Sequence, residues 1–160
     1  MREIAELVSV LACGLVAGAA VYISLVVYPA RMECGVETAA TEFPPSCRRA
    51  NIRHATFAGV GLLTSLAAWF AGATFWWAIA GVSLGSVIPF TLLVILPTNR
   101  KLLSPTLDKR SAQTTELLAR WARLHAFRSV VSVEALLLLV YLSVFGDLSE
   151  RTQVSTTGPR

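Results

Sequence analysis

FWWAIAGVSLGSVIPFTLLVIL, residues 75–96, is the stretch that decides the fold. It contains no acidic, basic or histidine residue, and as one α-helix it is long enough to cross the roughly 30 Å hydrocarbon core of a bilayer. Apolar helices buried in soluble domains are usually much shorter. The stretch therefore predicts a membrane-spanning helix.

Three further apolar runs have the same character, at residues 7–27, 55–73 and 126–145. The whole chain of 160 residues is 54% hydrophobic and only 15% charged, with a mean hydropathy of +0.61, which is typical of an integral membrane protein. A signal peptide is the alternative for the first run. We reject it because the run is too long, and because Glu3 and Glu6 disrupt the basic start that a signal peptide needs.

These four runs predict an all-α fold, an integral membrane four-helix bundle. A tight turn around 72–74 joins the second and third helices, and two longer loops join the others. The bundle occupies residues 1–146, and residues 147–160 are expected to be a disordered polar tail.

The basic residues are distributed unevenly between the two ends of this bundle. Residues 28–54 contain four of them, residues 97–125 contain six, and the termini together contain three, Arg2, Arg151 and Arg160. Under the positive-inside rule both long loops face the cytoplasm and both termini face the opposite side. This pattern accounts for the net charge of +4 through membrane topology and lipid contacts, so we predict no nucleic-acid partner.

Prolines and glycines add local expectations. Pro29 is expected to interrupt the first helix, Pro44 and Pro45 to end a short surface helix, and Pro89 to kink the third span. Ser46 is expected to cap a new helix. Small residues four apart predict close helix contacts, at the pairs Gly14/Gly18 and Gly81/Gly85. The cysteines, Cys13, Cys34 and Cys47, are expected to be free thiols.

Hydrophilic residues converge at the end of the bundle that carries the long loops. In RWARLHAFRS, residues 120–129, helical spacing places Trp121, His125 and Arg128 on one face together with Ser132. A second face carries Cys47, Asn51, His54, Ala58 and Gly61. The ends of the other two spans bring Tyr28, Asn99 and Arg100 to the same level. This arrangement predicts a site between the helices with an apolar floor.

Two interpretations remain open for several of these residues. Interfacial arginines are commonly topology signals or lipid contacts, and an interfacial histidine is often a packing residue. Glu134 lies deep in the fourth span, where an ionisable group needs a partner. It is either a hydrogen-bonded structural acid or a functional one.

Two segments, PFTLLVILPTNRKLL at 89–103 and RWARLHAFRS, resemble the signature segments of the anthrone oxygenase-like family. AGAAVYISLVVYPARM, residues 17–32, is similar to its first helix, and the resemblance covers roughly residues 5–145. It implies a monooxygenase that oxidises an anthrone with O2 to a quinone, with no flavin or metal required. The positions carried over are Asn99, Trp121, His125 and Arg128.

The chemistry assigns roles to these positions. Removing a proton from an anthrone gives an electron-rich enolate that can reduce O2, so the enzyme needs a base, oxyanion donors and a dry pocket. His125 or His54 is the candidate base, and Arg128 and Asn99 are the oxyanion donors. Trp121 is expected to stack on the ligand. The remaining candidates for substrate binding are Asn51, Tyr28, Arg100 and Glu134.

Two other functions remain open at this point. His54 and His125 lie on different helices at matching depth, as the axial ligands of a haem or the ligands of another metal would. Alternatively, the small-residue faces suit a non-enzymatic protein that binds a lipophilic molecule or lipid, or that assembles with itself or another membrane protein.

Overall fold

The computed structural model describes the backbone of residues 1–156 and the side chains through Gly146. Its elements in chain order are α1 (Arg2–Tyr22), a first π-helical turn (Ile23–Val27), α2 (Tyr28–Glu33), α3 (Val36–Phe70), α4 (Phe75–Phe90), a second π-helical turn (Thr91–Ile95), α5 (Leu96–Leu102) and α6 (Ala112–Thr156). The all-α prediction is confirmed. The backbone of α6 continues to Thr156, so the expected disordered tail is helical over residues 147–156. Residues 157–160 and the side chains from 147 onward lie outside the described part, and disorder of residues 157–160 stays a prediction.

The four long helices α1, α3, α4 and α6 pack side by side. Gly72, at a positive φ of 98°, makes the tight turn that was expected between α3 and α4. Met1, Thr74 and Gly146 line one cavity at this end of the bundle, which we call the turn end. The opposite end, where His54 and His125 lie, is the site end.

Among the described residues, three stretches are long and apolar enough to cross a membrane: Arg2–Glu33, Phe75–Leu102 and Ala112–Gly146. They contain the first, third and fourth predicted spans, and the chain is a membrane protein on this basis. The second predicted span lies in α3, which is not among them. That helix ends at Phe70, and Arg53 and His54 lie directly before its apolar part. A fourth crossing therefore stays a prediction.

Prolines do not interrupt two continuous helical rods, the α1–α2 rod and the α4–α5 rod, each of which includes one π-helical turn. Pro29 and Pro97 each lie in the first turn of a helix, α2 and α5, directly after a π-helical turn. The wider turns keep both rods continuous, whereas the sequence predicted an interruption at Pro29. Pro89 lies inside α4, and Thr91 Oγ1 donates to the Val87 carbonyl at 2.6 Å.

The prediction that Pro44 and Pro45 end a helix is wrong. α3 begins after Gly35, which has a φ of 95°, and continues through both prolines to Phe70. Ser46 therefore does not cap a helix, and its hydroxyl donates to the Glu42 carbonyl at 2.9 Å. Tertiary contacts hold the segment. Phe43 is buried with its ring edge against Trp121, and Arg31 pairs with Glu42.

Two apolar cores lie above and below the level of the histidines. The core toward the turn end includes Val16, Trp77, Leu84 and Leu139. The core beyond the histidines includes Phe43, Ile95, Leu118 and Trp121. A layer of buried polar side chains separates them: His54, Asn99, His125, Arg128 and Ser129.

Three glycines set the close approach of α3 to its neighbours. A Cβ on Gly81 would lie 2.5 Å from the Ser65 Cβ, and one on Gly61 would lie 2.5 Å from Leu84 Cδ2. Gly85 is similarly close to Leu62. The Gly81/Gly85 prediction is confirmed. The Gly14/Gly18 prediction is wrong, since a Cβ on Gly18 would meet nothing within 4 Å.

Gly81→Ala is expected to lower the free energy of unfolding by about 1–3 kcal/mol, because the added methyl group overpacks the contact with Ser65. Gly59→Ala is the matched control on α3, where a Cβ meets nothing within 4 Å. Thermal unfolding of both variants in the same detergent measures the difference. Equal midpoints for the two variants would contradict the packing described here.

Candidate functional site

Two cavities adjoin the polar layer. The larger, about 110 Å³, lies between α3, the α4–α5 rod and α6, and we call it the apolar cavity. Its lining residues are Asn51, His54, Ala55, Val87, Ile88, Thr91, Leu92, Leu96, Asn99 and Arg128. The smaller, about 40 Å³, is the polar cavity, whose hydrophilic lining is Arg31, Ser46, Asn51, Trp121, His125 and Arg128. Asn51 and Arg128 line both cavities and so stand between them.

Several polar atoms around the apolar cavity are buried without any hydrogen-bond partner in the described structure. They are His54 Nε2, both side-chain polar atoms of Asn99, and Arg128 Nε. Asn99 is only 1% exposed. Buried polar groups are nearly always paired, and an unpaired one is costly. Three such side chains around one cavity make it the candidate ligand-binding site.

His54 presents a free lone pair to this cavity. Its Nδ1 lies 2.9 Å from the Ala50 carbonyl, which can only accept, so Nδ1 carries the proton. Burial lowers the pKa of His54, and the charge of Arg128 lowers it further, against an opposing contribution from the Ala50 hydrogen bond. The neutral ring therefore has an unprotonated Nε2, which is the unpartnered atom.

His125 has both ring nitrogens occupied. Arg128 Nη2 donates to Nε2 at 2.8 Å, and since a guanidinium can only donate, Nε2 must be the acceptor. Nδ1 then carries the proton and donates to Ser24 Oγ at 3.0 Å. Ser24 in turn donates to Ser129 Oγ at 3.1 Å, and Ser129 donates to the His125 carbonyl at 2.9 Å. His125 is the fixed centre of a closed network.

Arg128 is a buried cation without a carboxylate partner in the described residues. It is 5% exposed, and its one hydrogen-bond partner is the neutral His125 ring. Arg31, which lines the same polar cavity, is neutralised by Glu42. A buried charge is normally paired. The site therefore has an unbalanced positive charge that favours an anionic or electron-rich ligand.

Trp121 lies on the polar-cavity side, away from the apolar cavity. Its ring contacts His125 at a centroid distance of 4.8 Å and Phe43 at 5.3 Å, with Tyr28 at 6.4 Å. These contacts hold the indole in the core at the site end. Trp121 therefore positions His125 in this structure, and a ligand in the apolar cavity would not stack on it.

Of the residues predicted for the site, six lie together around the two cavities: Asn51, His54, Asn99, Trp121, His125 and Arg128. Tyr28 lies beside Trp121 but lines neither cavity. Arg100 is exposed at the end of α5, and Glu134 is exposed on the outer face of α6. Neither Arg100 nor Glu134 is part of this cluster, because helical phase turns both outward.

Sequence reasoning missed two kinds of contributor. Ser24 and Ser129 complete the His125 network, and Ser129 is four residues from His125, a spacing that could have revealed it. The second contributor is the apolar wall of Val87, Ile88, Leu92 and Leu96, which spans the second π-helical turn. Nothing in the residue pattern alone places that turn.

Comparison with known proteins identifies the family of the chain. The profile of a family described as anthrone oxygenase matches residues 48–138, more than half of the chain. The chain belongs to this family. The match contains all six clustered residues and excludes α1, α2 and the start of α3.

A curated relative, anthrone oxygenase tpcL of Aspergillus fumigatus, is 46% identical over 55 residues. That alignment covers 32% of this chain and 34% of the relative, so it spans about a third of the relative's length. No solved structure matches the chain.

The pKa of His54 predicts how stability varies with pH. Since the folded-state pKa lies below the ordinary 6.5, the unfolded chain binds this proton first as the pH falls. The stabilisation of the folded state by neutral His54 is fully present above about pH 6.5. It is lost as the pH falls through the folded-state pKa. Between about pH 7.5 and about pH 5.5, the thermal unfolding midpoint is therefore expected to fall more steeply in the wild type than in His54→Gln. Parallel profiles would show that His54 is not buried in neutral form.

Proposed function

We propose that the protein oxidises an anthrone or a related polycyclic phenol or ketone to a quinone with O2, without an organic cofactor or metal. The observation that carries the proposal is the apolar cavity itself. The cavity is mostly apolar, and its lining includes three hydrophilic groups: the free lone pair of His54, the unpartnered amide of Asn99 and the unbalanced guanidinium of Arg128. Family membership and the partial likeness to an anthrone oxygenase support it.

His54 is the base in this proposal, and His125 is not. A general base needs an available lone pair within reach of the substrate proton. His54 Nε2 has one, whereas the lone pair of His125 Nε2 already accepts from Arg128. His54 removes a proton from the CH2 group opposite the ketone, and the negative charge moves to the ketone oxygen.

Arg128 and Asn99 stabilise that oxygen. Both have unused donors on buried nitrogens, Arg128 Nε and Asn99 Nδ2. Donors fixed in a site without water stabilise a developing anion far more than the same groups in solution. The enolate also supplies the counter-charge that Arg128 lacks. His125 holds the guanidinium in place through its Nε2 and is a positioning residue.

The oxidation balances with O2 alone. The enolate gives one electron to O2, and the carbon radical and superoxide combine to form a C–O bond and a peroxide at the former CH2 carbon. His54 returns its proton to the peroxide, which forms a hydroperoxide and restores the free lone pair on the imidazole. His54 then removes the second hydrogen of that carbon as a proton while the O–O bond breaks. The products are the quinone carbonyl and hydroxide. The hydroxide takes the second proton from His54 and leaves as water, so His54 ends unprotonated. The apolar walls favour dissolved O2 and exclude bulk water from these intermediates.

Access is from the side of the bundle. Ala55 on α3 and Leu92 on the α4–α5 rod line the apolar cavity and are exposed, so the cavity opens between these helices. At about 110 Å³ it is smaller than the 300–1,000 Å³ typical of drug-sized ligands. A three-ring substrate therefore requires the two helices to separate. A lipophilic substrate dissolved in the bilayer would arrive at this opening directly.

We also propose the orientation. The excess of basic residues in the long loops places the site end at the cytoplasmic face and both termini on the opposite side. His54 would then lie at the cytoplasmic interface, one residue outside the second predicted span.

The rate of emodin anthrone oxidation by membranes that carry the protein tests the base. After the spontaneous rate is subtracted, His54→Gln is expected to oxidise the anthrone about 10²–10⁴-fold more slowly than the wild type, because the basic lone pair is lost. Arg100→Gln, an exposed cation near the same level, is the matched control and should keep the wild-type rate.

Three outcomes would contradict this assignment. Full activity in His54→Gln combined with loss in His125→Gln would return the role of base to His125. Binding of the anthrone without turnover would favour a lipophilic-ligand binding protein. A haem absorption band in the purified protein that is lost on changing either histidine would favour the bis-histidine alternative.

Arg128→Met separates a functional arginine from a structural one. Removing an unpaired buried charge is expected to leave the unfolding midpoint unchanged or raise it. The oxidation rate should nevertheless fall by about 10²–10³-fold, since the oxyanion loses its strongest donor. A large drop in the midpoint would show that Arg128 holds the fold together, and would remove the argument from an unbalanced charge.

A further inference from the structure

Glu134 is an ionisable side chain that faces outward at the centre of the fourth predicted span. It is exposed, and it makes no hydrogen bond or ion pair within the described part of the chain. Exposed apolar side chains flank it along α6, namely Phe127, Val130 and Leu137. A carboxyl group is among the costliest to leave against acyl chains, and such residues nearly always face protein or water. This surface is therefore incomplete in a single chain.

A second polar group lies at nearly the same depth on the neighbouring helix. α4 and α6 run in opposite directions, with Phe90 against Phe127 at a centroid distance of 5.1 Å. Ser86 and Val131 line one groove of about 320 Å³ between the two helices. Glu134 is one turn beyond Val131, and helical side chains point back toward the N-terminus of their helix. Its carboxyl group is thus directed toward the level of Ser86.

Ser86 has hydrogen-bonding capacity left over. It is exposed, and its hydroxyl donates to the Ser83 carbonyl at 2.6 Å, which leaves the oxygen lone pairs free to accept. The neutral form of a carboxylic acid has one O–H to donate. Glu134 and Ser86 are therefore a complementary donor and acceptor on one face, yet they do not bond to each other within the chain.

We propose that this face, formed by Ser86, Phe127, Val130, Glu134 and Leu137, binds a second copy of the chain. A two-fold axis along the bilayer normal keeps every residue at its own depth, so Glu134 of each copy meets Ser86 of the other. Both bonds form at once, because each copy supplies one donor and one acceptor. A foreign partner would have to match both groups, whereas a second copy does so by symmetry. The apolar side chains around the pair exclude lipid, and the groove receives side chains of the other copy.

The test measures self-association of fluorescently labelled full-length protein by energy transfer in liposomes, across a series of protein-to-lipid ratios. Glu134→Leu is expected to weaken dimerisation by about tenfold to hundredfold, because two interhelical hydrogen bonds are lost together. Glu134→Gln should retain it, since the amide can still donate to Ser86. Ser86→Ala should weaken it, and Ser143→Ala, another exposed serine bonded to its own helix at 2.9 Å, should not.

Cross-linking locates the interface independently. In a Cys34→Ser background, which removes the one exposed cysteine of the described structure, Leu137→Cys should link two copies when treated with a short bis-maleimide reagent. Leu63→Cys, equally exposed but on α3, should not. A monomer at every ratio, a dimer insensitive to Glu134→Leu, cross-linking through position 63 instead of 137, or a different protein bound in place of the second copy would each overturn the proposal.

Discussion

The other polar groups of the site depend on one buried positive charge, that of Arg128. The Arg128 guanidinium is enclosed between two apolar cores with a neutral imidazole as its hydrogen-bond partner and no carboxylate among the described residues. Burial lowers the pKa of His54, and the charge of Arg128 lowers it further. The hydrogen bond that Arg128 donates to Nε2 of His125 fixes the tautomer of that ring. The unused nitrogen faces a cavity where an amide and an imidazole also lack partners. An anion formed from a lipophilic substrate would satisfy all three.

The polar layer depends on the packing on either side of it. Trp121 and Phe43 close the layer at the site end, and Leu84 and Leu139 close it toward the turn end. Because these side chains exclude water, the few polar contacts within the layer have high energetic weight. The same arrangement explains why α3 continues through two prolines. The ring contact of Phe43 with Trp121 and the pairing of Arg31 with Glu42 hold a segment that local preference would have ended.

Much of this was predictable from the sequence. Apolar run length predicted the helices, and a spacing of three or four residues correctly placed Cys47, Asn51 and His54 on one buried face and His125 and Arg128 on another. Helical phase could also have shown that Glu134 points outward. The direction of each hydrogen bond was beyond the sequence, because it depends on contacts across helices, such as Ser24 with His125. For that reason residue types alone could not decide between the two histidines, or separate Asn99 from its exposed neighbour Arg100.

The contact between α3 and α4 has a mechanical consequence. Gly81 and Gly85 hold these helices together along the middle of α4, and the apolar cavity lies between the same two helices beyond these contacts, toward the site end. The two helices are therefore in close contact at the glycines and are separated by the cavity beyond them. The second π-helical turn lies on the cavity side of the glycine contacts, so widening the cavity would not require those contacts to separate. Two residues of that turn, Thr91 and Leu92, line the cavity, so a substitution at either position would alter the space for a ligand while leaving the glycine contacts in place.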